Sequence, residues 1–392
     1  MRRYQSYIQN ALVILQTYTG DMPFAIYARQ FFARDKKFGS KDRKQIAAIC
    51  YSYFRMAHAL QHLKSYESLI AAHFLCSNQP SPIVATLQPE WAPLAAATLH
   101  QKLQVINVPF NEQLIFPFLT EVHPSLDIDL FKQSFFRQPA LFLRIRPGYE
   151  KKVTETLQQN NIAFSILNKT CVQLEPATNT ADLFVLNKEV VIQDYNSQRV
   201  LDMLPQFLKN NTEQPIKVWD CCAASGGKSI LAKDLLPGNV TLSVSDVRPS
   251  ILQNLQQRFK QAGINNYQQF TANLLKPVQI PGAQKFDIII CDAPCSGSGT
   301  WGRTPEELCY FNPSAIDEFA SLQKNIICNS WPHLKKNGLF VYITCAVFKK
   351  ENQDAVEYIQ QQPGAKLLYS SNLYGYTQSA DSMFVSIFKQ QH

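Results

Sequence analysis

The chain has 392 residues, 46% hydrophobic and 17% charged, which excludes a disordered polypeptide and suffices for two or three domains with their own cores. Its 38 Lys and Arg against 30 Asp and Glu give a net +8, and residues 1–64 alone hold eleven basic and three acidic side chains, so the remainder balances. Basic charge so concentrated fits a polyanionic partner, nucleic acid before a membrane surface, against the blander alternative of a solvated positive face.

Ten cysteines contain no CxxC pair and no Cys/His cluster at zinc spacing, so no metal is expected. No secretory leader is expected either: Arg2 and Arg3 precede polar Tyr4-Gln5-Ser6, and the apolar run Ala11–Leu15 is short. No stretch approaches the ~18 apolar residues of a membrane span. The expectation is a cytoplasmic protein, monomeric, without membrane or metal partners, whose reduced thiols are available as nucleophiles.

Residues 1–136 read as helices. Ile8, Ala11, Leu12, Leu15 and Tyr18 recur at helical spacing, as do Ile46, Ile49, Cys50, Tyr53 and Ala57 after Ser40 as N-cap. Lys41, Arg43, Lys44 and Arg55 decorate that second helix. The pattern then changes to a strand at Ala140–Ile145, a helical stretch at Glu150–Gln158, and strands around Ala163–Leu167, Cys171–Leu174 and Val190–Gln193. This small segment suits either an RNA-binding sheet or a spacer.

From Ser197 strands and helices alternate regularly: strands at Ile216–Trp219, Val240–Val244, Tyr267–Phe270, Phe286–Ile290 and Gly338–Ile343, helices at Gly227–Leu235, Ser250–Gln261 and Ile316–Leu334. Such alternation predicts a doubly wound, mostly parallel sheet with ligands at the carboxyl ends of its strands.

Asp220-Cys-Cys-Ala-Ala-Ser-Gly-Gly-Lys-Ser229 follows the first of these strands. A phosphate-binding P-loop would need glycine where Cys222 stands, so that reading fails. The loop of an S-adenosylmethionine-binding methyltransferase predicts an acid after the second strand to hold the ribose, and Asp246 is there; a plain strand–helix turn with a solvated aspartate is the alternative. Asp292-Ala-Pro-Cys295 ends the fourth strand and Tyr342-Ile-Thr-Cys345 the fifth, so two thiols face the crevice beside the presumed cofactor. Carbon 5 of a pyrimidine is a poor nucleophile until a thiolate adds to carbon 6, and a base must then take the carbon 5 proton. Asp292 is placed to stabilise that adduct at ring nitrogen 3. Cys50, Cys76, Cys171, Cys291, Cys309 and Cys328 read instead as small core hydrophobes.

Asp220–Ser229, Asp292–Thr300 and Tyr342–Asn352 resemble the motifs of RNA cytosine-5 methyltransferases of the RsmB/Sun (Nol1/Nop2/Sun) type. Val191–Gln198, Leu322-Gln323 and Asp381–Lys389 look like that family's entry segment, "LQ" helix and final strand, and Phe38–Arg55 is similar to a helix of a NusB-like RNA-binding domain. The resemblance implies Cys345 as the nucleophile, Cys295 as the cysteine that releases methylated RNA, Asp292 on the cytosine edge and Lys228 beside the base. It implies a cofactor, S-adenosylmethionine, along Cys222, Ala223, Ala224, Ser225, Gly226, Gly227 and Lys228, with Asp246 on its ribose and Arg248, Asn273 and Asp292 nearby. Ser225 replaces the motif's proline and could loosen the loop, Ala346 replaces a serine, and Asn273 stands where an aspartate is usual. Lys41, Arg43, Lys44, Arg55, Arg144, Arg146 and Arg303 are the expected RNA contacts.

The chain then reads as an α/β protein in three parts: an all-helical NusB-like RNA-binding domain (1–136), a small α/β, RRM-like linker domain (137–196) and a Rossmann-like methyltransferase sheet (197–392). The implied reaction is formation of 5-methylcytosine in small-subunit ribosomal RNA. Methylation of transfer RNA, or a non-catalytic RNA-binding assembly factor, are the rivals.

Overall fold

A computed structural model describes residues 1–34, 38–208 and 215–391. Asp35, Lys36 and Lys37, counted above in the basic segment, lie outside the described residues. By its internal contacts the chain forms two units, Met1–Gln138 with Thr300–Pro313, and Pro139–Gly299 with Ser314–His392.

The first unit is helical. Helix Arg2–Thr17 buries Ile8, Ala11, Ile14 and Leu15, and helix Ser40–Met56 buries Ile46, Ile49, Cys50, Tyr53 and Phe54, the stripes that their helical spacing dictates. Leu12 is only partly buried; Ile14 takes the inward position. Ser40 is the first helical residue rather than the cap: Gly39 precedes it in extended conformation and donates its N–H to Asp42 Oδ2 at 3.1 Å. Helix Pro305–Tyr310 packs into this unit, where Glu306 Oε1 accepts the N–H of Phe24 (3.1 Å) at the start of helix Phe24–Ala33.

The second unit carries two sheets. Strands β1 (Leu141–Ile145), β2 (Phe164–Asn168), β3 (Cys171–Leu174) and β4 (Val190–Ile192) form an antiparallel sheet in the order β2-β3-β1-β4. Helix Glu150–Gln159 lays Val153 and Leu157 against Leu143, Val172 and Val190. Strands β5 (Ile216–Asp220), β6 (Val240–Asp246), β7 (Tyr267–Thr271), β8 (Phe286–Asp292), β9 (Leu334–Thr344), β10 (Ala365–Leu373) and β11 (Met383–Gln390) form the larger sheet in the order β10-β11-β9-β8-β5-β6-β7. Its five strands from β7 to β9 are parallel, and β11 runs against both its neighbours. One apolar cluster covers each face, around Leu255, Ile288 and Val341 on one and Trp219, Ile289 and Phe340 on the other, as period-two alternation in a doubly covered sheet requires.

The strand order reverses between β5 and β8, which places the binding crevice at their carboxyl ends. Two boundaries differ from expectation by four residues. The helix expected to run to Leu334 ends at Ser330, Pro332 follows within a short 3₁₀ turn, and β9 begins at Leu334 rather than Gly338. Among the described residues no helix is long and apolar enough to cross a membrane.

Candidate active site

Strand β5 ends in Asp220, fully buried, whose Oδ2 accepts the Ser229 hydroxyl at 2.6 Å while Oδ1 has no partner. Burial pushes its carboxyl up to about 7, with the Ser229 bond opposing. The loop beyond is pinned by its backbone: Ala223 donates to Ser245 O (2.9 Å), Ala224 to Asp246 Oδ2 (3.1 Å) and Gly226 to Ala223 O (2.7 Å). Gly226 holds φ +83°, and a Cβ there would stand 2.6 Å from the Phe259 ring, so no other residue fits. Ser225, which could loosen the loop, has a partner of its own. Arg258 donates to its hydroxyl (2.7 Å) and its carbonyl (3.1 Å), an anchor in place of a proline's stiffness.

Gly227 then opens helix Gly227–Leu235 with nothing within 4 Å of a Cβ built upon it, so the loop backbone meets open space at a helix N-terminus. Asp246 is buried at the end of β6, accepting from the backbone N–H (3.0 Å) and guanidinium (3.0 and 3.3 Å) of the more exposed Arg248. This open cradle, small-residue loop and carboxylate fit the nucleoside part of S-adenosylmethionine. Asn273, exposed two residues past β7, spends its side-chain oxygen on the Leu275 N–H at 3.0 Å.

The parallel register Asp292↔Ile343 aligns the ends of β8 and β9, so the loops that follow run side by side. Ala293 donates to Ile343 O (2.9 Å) and Gly299 to Cys345 O (2.8 Å). A Cβ on Gly299 would lie 2.1 Å from Ser382 O and 2.9 Å from Cys345 O, so only glycine permits this approach. Cys295 and Cys345, 50 positions apart, bring their sulfurs to 3.3 Å, and the Cys345 N–H points at Cys295 Sγ at 3.4 Å. The Cys345 sulfur, then burial, hold the Cys295 thiol well above its ordinary value, so it keeps its proton beside its neighbour. Lys228 Nζ donates to Asp292 Oδ2 at 2.8 Å. Burial works against the ammonium, but the Asp292 charge and hydrogen bond outweigh it and raise Lys228 overall.

Not every expected residue lies in such a place. Arg144 is buried and Arg146 nearly so, both bonded to Asp234 (2.6 Å each), with Arg144 also on Gln193 and Arg146 on Asn187 O and Ala262 O. Arg55 is buried and donates to Phe135 O at 3.4 Å. These three are corrected to structural residues: a buried guanidinium with protein partners has no face for a phosphate. Lys41, Arg43 and Lys44 are exposed, and Arg303, partly exposed, belongs to the helical unit. The structure also gathers one thiol cluster that sequence spacing did not reveal. The register Asp220↔Ile290 sets Cys221 beside Cys291, and with Cys222 the three sulfurs lie within 4.8 Å of one another, a set that a soft metal could use. Arg258 was missed as well, for want of any motif around it.

Residues 205–389 match the 16S rRNA methyltransferase RsmB/F family. A ribosomal RNA small subunit methyltransferase B from Yersinia pseudotuberculosis is 36% identical over 271 residues, 63% of this chain and 59% of that protein. The chain spans about half the length of the curated relatives it matches, between 40 and 59%. Among solved structures, PH0851 superposes with a TM-score of 0.69 over 98% of both chains at 18% identity. NSun6 from Pyrococcus horikoshii, solved with SFG, an S-adenosylmethionine analogue, gives 0.54 over 67% of this chain and 96% of that one at 13% identity. At such identities the likeness establishes the fold. Fold and loop together are those found in S-adenosylmethionine-dependent methyltransferases of Rossmann-like build. Within that class, residues 205–389 carry the chain's likeness to the RsmB/F family.

Proposed function

We propose that this protein forms 5-methylcytosine in RNA through a covalent cysteine adduct, with small-subunit ribosomal RNA as its target. The observation that carries the chemistry is the 3.3 Å approach of Cys295 and Cys345 beside the Lys228–Asp292 pair. The target is supported by the activity for which the curated relatives are named.

Cys345 is the nucleophile: its sulfur bonds to carbon 6, and the electrons of the 5,6 double bond make carbon 5 nucleophilic. Asp292 holds the cytosine edge, and the Lys228 ammonium 2.8 Å away offsets charge gathering on the ring. When bound, S-adenosylmethionine supplies an electrophilic methyl group. Cys295 then acts at release, as the base that takes the carbon 5 proton while the Cys345 sulfur departs and the double bond reforms. The Cys345 neighbour and burial both hold that Cys295 thiol high; bonding of the Cys345 sulfur to carbon 6 removes the first of these, and Cys295 gives its own proton to water before it takes the carbon 5 proton. The base must leave the stack for its ring face to be reached. Lys41, Arg43 and Lys44, on a helix similar to a NusB-like one, supply long-range attraction to RNA.

Purified protein with S-adenosylmethionine and unmodified ribosomal RNA should yield 5-methylcytosine. Cys295→Ala should leave an RNA-linked protein that survives denaturation, and Cys345→Ala should abolish both methylation and linkage. Linkage by the Cys345 variant would reverse the two roles. Methylation of transfer RNA alone would overturn the ribosomal target.

A further inference from the structure

Two consecutive residues, neither used by the chemistry above, hold the loops of both cysteines. Glu351 is fully buried at the end of a 3₁₀ turn, Lys349–Glu351. Its Oε2 accepts the backbone N–H of Ser296 (2.8 Å) and Gln323 Nε2 (3.0 Å), and its Oε1 accepts the Ser296 hydroxyl (2.5 Å). The same Gln323 nitrogen donates to Pro294 O at 3.0 Å. Cys295 is thus fixed from both sides, through the carbonyl before it and the N–H after it.

Asn352, also buried, does the same for the other loop. Its Oδ1 accepts the Thr344 hydroxyl (2.5 Å) and its Nδ2 donates to Ala346 O (2.9 Å), the residues on either side of Cys345. Tyr342 ties the pair to β9 by donating its hydroxyl to Glu351 O at 2.8 Å. A buried carboxylate is costly unless its oxygens are satisfied, and here three donors satisfy it. Burial, the largest influence, nonetheless raises the Glu351 carboxyl.

We propose that Glu351, with Gln323, and Asn352 are separate positioning residues: the first two set the Cys295 loop, and Asn352 sets the Cys345 loop. For its catalytic consequence this inference rests on the cysteine roles proposed above. Glu351 then governs release and Asn352 governs attack. A pair holding the fold in general would affect both cysteines together.

The test uses the full-length protein with Glu351→Gln and Asn352→Asp, each confirmed folded by its unfolding transition. Glu351→Gln turns one acceptor into a donor facing the Ser296 donors, and Asn352→Asp sets a carboxylate against Ala346 O. The first readout is the alkylation rate of each cysteine by iodoacetamide, followed by mass spectrometry without RNA. Breaking a buried hydrogen bond at one loop should change the rate of that loop's cysteine by roughly tenfold and the other's by less than about twofold. Glu351→Gln is expected to alter Cys295, and Asn352→Asp to alter Cys345. Equal changes at both thiols in either variant, or no change in either, would overturn the proposal. Should either variant fail to fold, Ser296→Ala and Thr344→Val, which remove the hydroxyls that donate to Glu351 and Asn352, take its place with the same expected selectivity.

The second readout adds ribosomal RNA and S-adenosylmethionine. Glu351→Gln should accumulate the covalent RNA adduct, and Asn352→Asp should form it slowly. Selective alkylation without adduct in any variant or in the parent protein would uphold the positioning roles and sink the cytosine chemistry. Adduct in the parent protein with non-selective alkylation would do the reverse.

Discussion

Asp220 shows most plainly what a single residue's surroundings do. Its carboxyl ordinarily titrates near 3.8 and is held near 7 in the folded chain, chiefly by burial. Below pH 4 both folded and unfolded chains carry the proton, so the residue is neutral in the balance. Between 4 and 7 the unfolded chain has released a proton that the folded one keeps. Stability therefore falls as pH rises through this window and stays lowered above it. Asp220→Asn removes the titration and can still accept from Ser229. Its unfolding free energy relative to the parent should rise by about 1 kcal/mol or more between pH 5 and pH 8, measured by urea titration. A constant difference across that range would show that Asp220 is ionised throughout. The sequence marks Asp220 by its place before the loop, yet gives no sign that one oxygen lacks a partner, because depth of burial belongs to the sheet. Cys295 and Cys345 were legible from chemistry and strand ends alone, whereas Glu351 and Gln323 stood in recognised motifs without a role until their distances to Pro294 and Ser296 appeared.

At the scale of elements, the regular strands were readable where their apolar runs are unbroken, as in β8, and β10 was not, because its residues alternate between half-buried and exposed at a sheet edge. The entry segment Val191–Gln198 acquires a mechanical meaning here. Asn196 donates to Leu373 O (3.0 Å) and Asp381 O (2.8 Å), and Asp194 accepts the Asp381 N–H (3.0 Å), so the segment fastens the β10–β11 hairpin. Likewise β1 is joined to helix Gly227–Leu235 through Asp234, whose carboxylate takes both Arg144 and Arg146. Alternation patterns could not show this, since a strand arginine reads the same whether it faces a phosphate or a buried partner 90 residues on. Removing Asp234 leaves the buried Arg144 without its counter-ion, and losing one partner of a buried pair costs about 3–5 kcal/mol. Asp234→Ala should lower the denaturant midpoint accordingly. A loss under about 1 kcal/mol would mean that water reaches these guanidiniums and would make both arginines candidates for RNA binding again.

At the scale of the whole molecule the chain divides in a way that a linear charge count does not describe. Thr300–Pro313 follows the Cys295 loop in sequence yet belongs to the helical unit, where Trp301 is fully buried with its ring 4.7 Å from Phe311 and 6.0 Å from both Phe116 and Phe118. No boundary drawn from composition finds such an exchange. Deleting residues 1–136 would strip cover from Trp301, so loss of RNA binding after that deletion would say little about charge. Surface substitution is the cleaner experiment. Lys41, Arg43 and Lys44 are exposed at the start of helix Ser40–Met56, and the one acid among them, Asp42, is occupied by Arg3 at 2.8 Å and by the Tyr7 hydroxyl. Among the described residues Arg43 lends only its Nε, to Phe38 O (2.9 Å). If these cations meet phosphates, each releases counterions on binding, and the logarithmic salt slope shrinks by about 0.7–0.9 for every phosphate that is no longer neutralised. The triple change to alanine should thus flatten the slope of RNA binding by about 2–3 and weaken binding at low salt, with stability nearly unaltered. An unchanged slope would move the RNA surface away from this helix and leave the net +8 as solvated charge.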